Sequence, residues 1–559
     1  MVKDKLFELF HNKSLVVWSL ILSVLRTGSV FFFRQDGEAL DAQGGLAFVI
    51  VVSTLRIVFN FFIFAGILKF LDWMGEKYAS VAKSELASES NVGENSEKLI
   101  LRKKILWDYL FFAFLWLIPL LIKYPGAIHF DTWALFEEFR TGQITTHHSV
   151  FYMVLMGKLV SLFEAMGFAN FGLFAFVGLH YLSFVFAFGY SVNVLRKLGA
   201  GTRLVWVYKI LWGINPYVIG WIGVAIKDSF YSVWLFVAFL VLVEEYIRKE
   251  EALPIWKYLL FGFSLIISCL TRKNGVYVFA GILFLMVIGI IKTRYRLRMV
   301  LTIAVSICLY LAASKTLITA YNATPGSLRE ALSIPFQQTA RFVKYHGDEV
   351  TEEEKEAINE CLRYEPLASH YTPNISDPVK GKYNEDASKL GPYFKVWFKQ
   401  FLRHPLCYVA ATWEQNLYLF VPEAEMGKCS FIVNISETRD QDGEGKSQFN
   451  DNSERELFSD PGRLETVQHE VIDFFMYLEE IPILSAMWYM TTAVYACLLN
   501  TCILLIKKRR NRIMPLVIGL LSILCTIMGP VVHYRYLFSL MYAFPIIVIY
   551  TMNTYRNED

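Results

Sequence analysis

Charge is scarce in this chain: of its 559 residues only 19% are Asp, Glu, Lys or Arg, where a soluble domain carries about a quarter. That scarcity excludes an ordinary string of water-soluble domains. Cysteine occurs eight times but never at metal-ligand spacing. Cys269, Cys308, Cys497, Cys502 and Cys525 lie inside apolar runs, where cysteine is a small core residue. Cys361, Cys407 and Cys429 fall in a polar stretch, and an odd number cannot all pair, so at most one disulfide is expected there. A cleavable signal peptide is not in view, because the first apolar run, 14–33, is too long for one and reads as a retained span. An internal repeat of the two-halves kind found in many transporters is lacking too.

What is abundant is apolar: 55% of residues are hydrophobic and 16% aromatic. Runs long enough to cross a ~30 Å hydrocarbon core as single helices recur near 14–33, 46–72, 105–123, 171–195, 204–223, 227–247, 254–271, 274–291, 298–318, 481–505, 513–530 and 535–553. The expected fold is therefore all-α, a polytopic membrane bundle of about a dozen transmembrane helices. Basic residues collect in alternate connections: Lys98–Lys104, Arg196–Arg203, Arg248–Lys249, Lys292–Arg298 and Lys507–Arg512. Short basic loops stay in the cytoplasm. This predicts a multi-pass cell-membrane protein with both termini cytoplasmic. Residues 319–480 hold 16 Lys/Arg against 28 Asp/Glu, a net of −12, and the remainder carries +15. Four regions follow: 1–104 with two helices and a cytoplasmic linker, a core at 105–318, an extracytoplasmic and mostly helical segment at 319–480, and C-terminal helices at 481–559.

Polar motifs in the acidic segment have structural readings. Thr351 followed by Glu354 forms a capping box. The Asp440-x-Asp442 pair sits in a Gly/Ser/Asp/Asn-rich stretch and reads as a loop. The first extracytoplasmic loop, 123–170, is richer in chemistry. It begins Lys123-Tyr-Pro-Gly, reaches Asp131 among aromatics, and continues through Gln143, His147 and His148 into an amphipathic stretch, 149–166, suited to lie in the interface. Asp131 has two readings. It caps a short helix, 132–140, or it is a half-hydrated carboxylate with a raised pKa that holds a substrate hydroxyl or a metal.

These residues resemble the polytopic GT-C glycosyltransferases, whose first extracytoplasmic loop carries an aspartate and two helices lying on the membrane. Lys227-Asp228 at the start of a span is similar to their second acidic position, and Arg272-Lys-Asn274-Gly275 to their Arg-x-Asn-Gly element. Ser333–Arg341 and Arg403-His404-Pro405 look like an uncharacterised bacterial branch of the superfamily, and His533-Tyr-Arg535-Tyr536 resembles the Arg-Tyr element common near the end of such proteins. The resemblance begins at about Lys123. It implies transfer of a sugar from a polyprenyl-phosphate carrier to a cell-envelope glycan, teichoic acid or protein on the extracytoplasmic side, with inversion. Asp131 and Asp228 would be catalytic, alone or with a divalent Mg or Mn ion. Lys227, Arg272, Lys273, Arg341 and Arg535 would hold the donor phosphate. Gln143, His147, His148, Gln337, Gln338 and Tyr534 would contact donor or acceptor. Membrane lipids are the other expected partner, and nucleic acid is not one. The competing reading is a flippase for a lipid-linked sugar, suggested by Arg26, Arg56 and Lys209 in or near apolar runs.

Overall fold

The computed structural model describes residues 12–33, 45–86, 94–248, 252–289, 296–421, 457–458 and 465–557. Asp440, Asp442 and Cys429 lie outside them. Among the described residues the chain is helical almost throughout, with one pair of two-residue strands. Seven helices among the described residues are long and apolar enough to cross a membrane: Val51–Ser80, Lys103–Ile122, Ala169–Lys197, Lys227–Ile247, Arg296–Ala320, Arg510–Ile527 and Tyr534–Arg556. Ile255–Thr271, Asn274–Val287 and Met490–Ile506 are shorter apolar helices. The chain is an all-α, membrane-associated protein.

In chain order the first helices are α1 (Lys13–Phe33), α2 (Gly45–Leu86), α3 (Glu94–Ile122), α4 (Phe130–Thr141), α5 (Val150–Glu164), α6 (Ala169–Lys197), α7 (Thr202–Gly213) and α8 (Pro216–Ile219). Strand β1 (Ala127–Ile128) precedes α4 and β2 (Val224–Ala225) follows α8. Then come α9 (Lys227–Ile247), α10 (Ile255–Thr271), α11 (Asn274–Val287) and α12 (Arg296–Ala320).

A helix that is apolar all round belongs in the middle of a bundle. The α9 helix is that element, buried at nearly every position from Lys227 to Tyr246. By contrast α12 exposes Leu297, Leu301, Val305 and Leu309, and α3 exposes Leu106, Trp107, Phe114 and Ile118. So much apolar surface is untenable in water and suits lipid. The expected span 204–223 is not one helix: α7 ends at Gly213, Asn215 caps α8 by accepting from Val218 N at 3.1 Å, and Pro216 opens it. Twelve residues rise only about 18 Å, so α7 alone is shorter than the hydrocarbon core.

Residues 320–421 form a small helical layer with its own core of Phe336, Ile358, Leu362, Tyr371, Val379 and Tyr393. Its elements are α13 (Ser333–His346), α14 (Glu352–Cys361), α15 (Leu367–His370), α16 (Asp377–Lys380), α17 (Leu390–Arg403) and α18 (Pro405–Gln415). Thr351 caps α14 as expected, its hydroxyl accepting from Glu354 N at 3.3 Å. Cys361 and Cys407 are free thiols in separate clusters. The chain closes with α19 (Glu465–Glu480), α20 (Pro482–Trp488), α21 (Met490–Ile506), α22 (Met514–Ile527) and α23 (Phe538–Asn553). The expected span 481–505 is thus broken at Tyr489 into α20 and α21. Helices α1 and α2 pack against α21 through a satellite cluster that includes Leu22, Phe64, Leu68 and Ile503.

Ion pairs mark one end of the bundle. Lys197 at the end of α6 and Lys257 both bind Glu244 of α9, Lys257 at 2.8 Å. Asp108 takes Arg196 and Lys209, the latter at 3.1 Å. The Asn553 amide donates to Leu198 O at 2.8 Å, and Arg509 to Thr554 at 2.9 Å. The basic clusters at the ends of α6, α9 and α21 therefore share this end. Lys227 starts α9 at the other end, roughly 25 Å from Glu244 by helix rise.

Candidate active site

At that far end two segments distant in the sequence are joined by backbone hydrogen bonds. After α3 the chain turns through Tyr124-Pro125, a cis peptide, and Gly126. Gly126 has φ +121°, and a Cβ there would meet both Val177 methyls at 3.1 Å. Only glycine suits that position. Beyond it β1 pairs in parallel with β2, Ala127 opposite Val224 and Ile128 opposite Ala225. Ala127 N donates to Gly223 O at 2.9 Å and His129 N to Ala225 O at 3.3 Å. Buried Lys123 donates to the carbonyls of Ile219, Gly220 and Ile222, which braces the approach to β2.

Both strands leave directly into helices. Consequently α4 and α9 start side by side, each with an aspartate as its second residue: Asp131 and Asp228. Carboxylates are favoured at the positive ends of helix dipoles. Asp131 is not the cap of its helix, since His129 takes that role by accepting from Asp131 N at 3.2 Å. The Asp131 side chain is free to do something else.

Three cations meet the two carboxylates. Lys227 Nζ lies 3.2 Å from Asp131 Oδ2, and Arg535 Nη2 lies 3.4 Å from the same oxygen. Arg535 Nε is 3.4 Å from Asp228 Oδ2, while Arg272 donates to Asp228 Oδ1 at 2.6 Å. Arg535 also contacts His129 Nε2 at 2.5 Å, and Arg272 stacks on Tyr536 at 4.0 Å. The cluster is therefore one charge positive. Asp131 keeps 30% of its side-chain surface exposed, but Asp228 only 1%. A substrate can thus touch Asp131, whereas Asp228 anchors the arginines.

The electrostatics reverse one expectation. Burial alone would raise the Asp131 pKa, but Lys227 and Arg535 outweigh it and hold the carboxyl well below its ordinary 3.8. His129 is pushed down to about 4, first by burial and then by Arg535. His148 is lowered by burial and Lys227, and His533 falls to about 3 by burial and Arg535. At neutral pH the site holds ionised Asp131 among uncharged imidazoles. A divalent ion on Asp131 and Asp228 does not fit: both carboxylates are committed to three cations, which would repel it.

The other expected site residues divide. Lys273 donates to Thr146 O and, with His148, lines a narrow hollow beside Ser149 and Tyr310. His147 is exposed and lies against His148, ring centroids 4.3 Å apart. Tyr534 is buried on Tyr217 and Trp221, under the arginine. Gln143 is exposed at the end of α4. Arg341 is elsewhere, bound to Glu414 and, at 2.9 Å, to Tyr371 Oη. Gln337 donates to Thr372 O, and Gln338 spans Tyr408 O, Thr412 and Trp397. These three hold the small helical layer together and do not join the cluster. His129 and Tyr536 belong to it without having been expected. Their sole sequence signal is lying within two residues of Asp131 and one of Arg535.

Of the charges in or near apolar runs, Lys209 pairs with Asp108 at 3.1 Å and Arg26 donates to Phe420 O. The arrangement defines a class: a helical membrane protein with a carboxylate–cation cluster at one end of its bundle. The chain belongs to DUF6020, a family of unknown function whose profile matches residues 135–559. The match includes Lys227, Asp228, Arg272 and Arg535 and begins just past Asp131. No curated protein matches the chain, and no solved structure does either.

Proposed function

We propose that this protein is a GT-C-type membrane glycosyltransferase that moves a sugar from a polyprenyl-phosphate carrier to an extracytoplasmic cell-envelope acceptor, with inversion. The observation that carries the reading is Asp131: accessible, ionised, and set between Lys227 and Arg535 where two helix N-termini converge. Such helix ends and a net positive cluster attract a phosphate. An open apolar hollow of about 400 Å³ runs along Val154, Leu155, Leu159 and Leu317, and shares Phe151 and Leu317 with the narrow hollow at His148 and Lys273. A prenyl chain suits the first, and its phosphate suits the polar end.

In the reaction the acceptor oxygen bonds to the anomeric carbon as the bond from that carbon to the phosphate oxygen breaks. Asp131 takes the hydroxyl proton, and the cations hold the departing phosphate. Donor binding itself prepares the base. When phosphate engages Lys227 and Arg535, Asp131 loses the partners that depress its pKa and becomes more basic.

The test is release of free polyprenyl phosphate by purified protein in lipid, supplied with a panel of polyprenyl-phosphate sugars. We expect release with one donor class, reduced at least about 100-fold in Asp131→Asn. Binding or translocation of the lipid without release from any donor would replace the transferase by a flippase.

A further inference from the structure

A second group of ligating side chains lies in the small helical layer and shares no member with the cluster at Asp131. His346 ends α13, Glu349 closes the following 3-10 turn (Gly347–Glu349), and His404 is the break residue between α17 and α18. His346 Nδ1 is 3.3 Å from Glu349 Oε1, and His404 Nε2 is 2.7 Å from Glu349 Oε2. One donor atom from each residue falls within 4.8 Å of the other two. A tetrahedral zinc with bonds of about 2.0–2.1 Å sets its donors roughly 3.4 Å apart, so rotation of the two histidine side chains would close the site.

The two imidazoles stack, centroids 3.8 Å apart and 23° from parallel, so they must splay for both in-plane nitrogens to meet one ion. Two features favour a metal over a plain ion-pair network. Both rings rest on Phe342, which fixes their orientation on one side. The site's nearest cation, Arg403, donates to the Glu349 carbonyl at 3.0 Å and is balanced by the Glu354 carboxylate at 2.6 Å, so it steadies the Glu349 turn instead of opposing an ion. The ligating side chains remain 28%, 46% and 29% exposed, which leaves an entry path and a place for water.

We propose that His346, Glu349 and His404 bind one zinc ion, with water completing the coordination. Two nitrogen donors select zinc or a similar transition ion over magnesium or calcium. Glu349 and His404 are 55 residues apart. The ion would therefore clamp the end of α13 to the α17–α18 break and stabilise the layer.

The full-length protein, purified in detergent and stripped with chelator, is titrated with zinc and then with cobalt. We expect one equivalent bound per chain, a higher unfolding temperature with zinc, and a cobalt spectrum of nitrogen and oxygen ligands. In His346→Gln/His404→Gln the affinity should fall at least about 100-fold and the thermal shift should vanish. Undiminished one-equivalent binding in that variant would overturn the proposal, as would a thiolate-to-cobalt charge-transfer band in the wild type, which would move the ion to the cysteines. If the double variant does not fold, Glu349→Gln and the wild-type cobalt spectrum decide.

Discussion

Asp131 and Asp228 look alike in the sequence but do different work. Asp131→Asn keeps the shape but removes the charge that faces Lys227 and Arg535, so it should cut turnover at least about 100-fold with a smaller loss of unfolding temperature than Asp228→Asn. Asp228→Asn strands Arg272 and Arg535 with one buried partner removed, a loss of about 3–5 kcal/mol. It should appear first as poor yield of folded protein in size-exclusion chromatography. His129 makes stability depend on pH. Its folded pKa, about 4, lies below the unfolded 6.5, so the unfolded chain binds protons first as pH falls. Its contribution is complete above pH 6.5, declines between 6.5 and 4, and amounts to on the order of 2–3 kcal/mol. Asp131 adds loss in the same direction below its ordinary 3.8. Thermal unfolding from pH 7 to 4.5 should show the decline, and His129→Gln should flatten part of it. Lys227, Asp228, Arg272 and Arg535 were legible in the sequence because polar groups at the starts and ends of apolar runs are few. Arg341 was misread because its partner, Glu414, is 73 residues away and nothing local announces the pair.

The helices themselves were largely legible, since long apolar runs have few other solutions. The breaks were less so: Asn215-Pro216 was passed over within an apolar run, although a capping asparagine followed by proline is a helix start. The strand pair was invisible, because two residues of any apolar kind can form it. Its dependence on Gly126 gives a prediction. Gly126→Val places a branched side chain at φ +121° against Val177, a strain of order 1–3 kcal/mol. It should withdraw Asp131 from Lys227, cutting turnover while the ion pairs at Asp108 and Glu244 stay intact. A hydrogen-exchange comparison would show protection lost at 124–131 and kept in α6 and α9.

For the molecule as a whole, the charge pattern predicts which end faces the cytoplasm. In a cysteine-free background, Cys at Ser327 or Glu385 should react with an impermeant thiol reagent on intact cells, and Cys at Arg510 only after permeabilisation. The reverse pattern would place the Asp131 cluster in the cytoplasm and remove the case for a prenyl-linked donor. Ion pairs tie helix ends together at both ends of the bundle, at Asp108 and Glu244 on one and at Asp131 and Asp228 on the other. The four-residue sheet carries the sharpest consequence. Because main-chain hydrogen bonds join the residues just before α4 and α9, the spacing of Asp131 and Lys227 is set by local backbone, and the loops flanking α5 can vary in length without moving the pair.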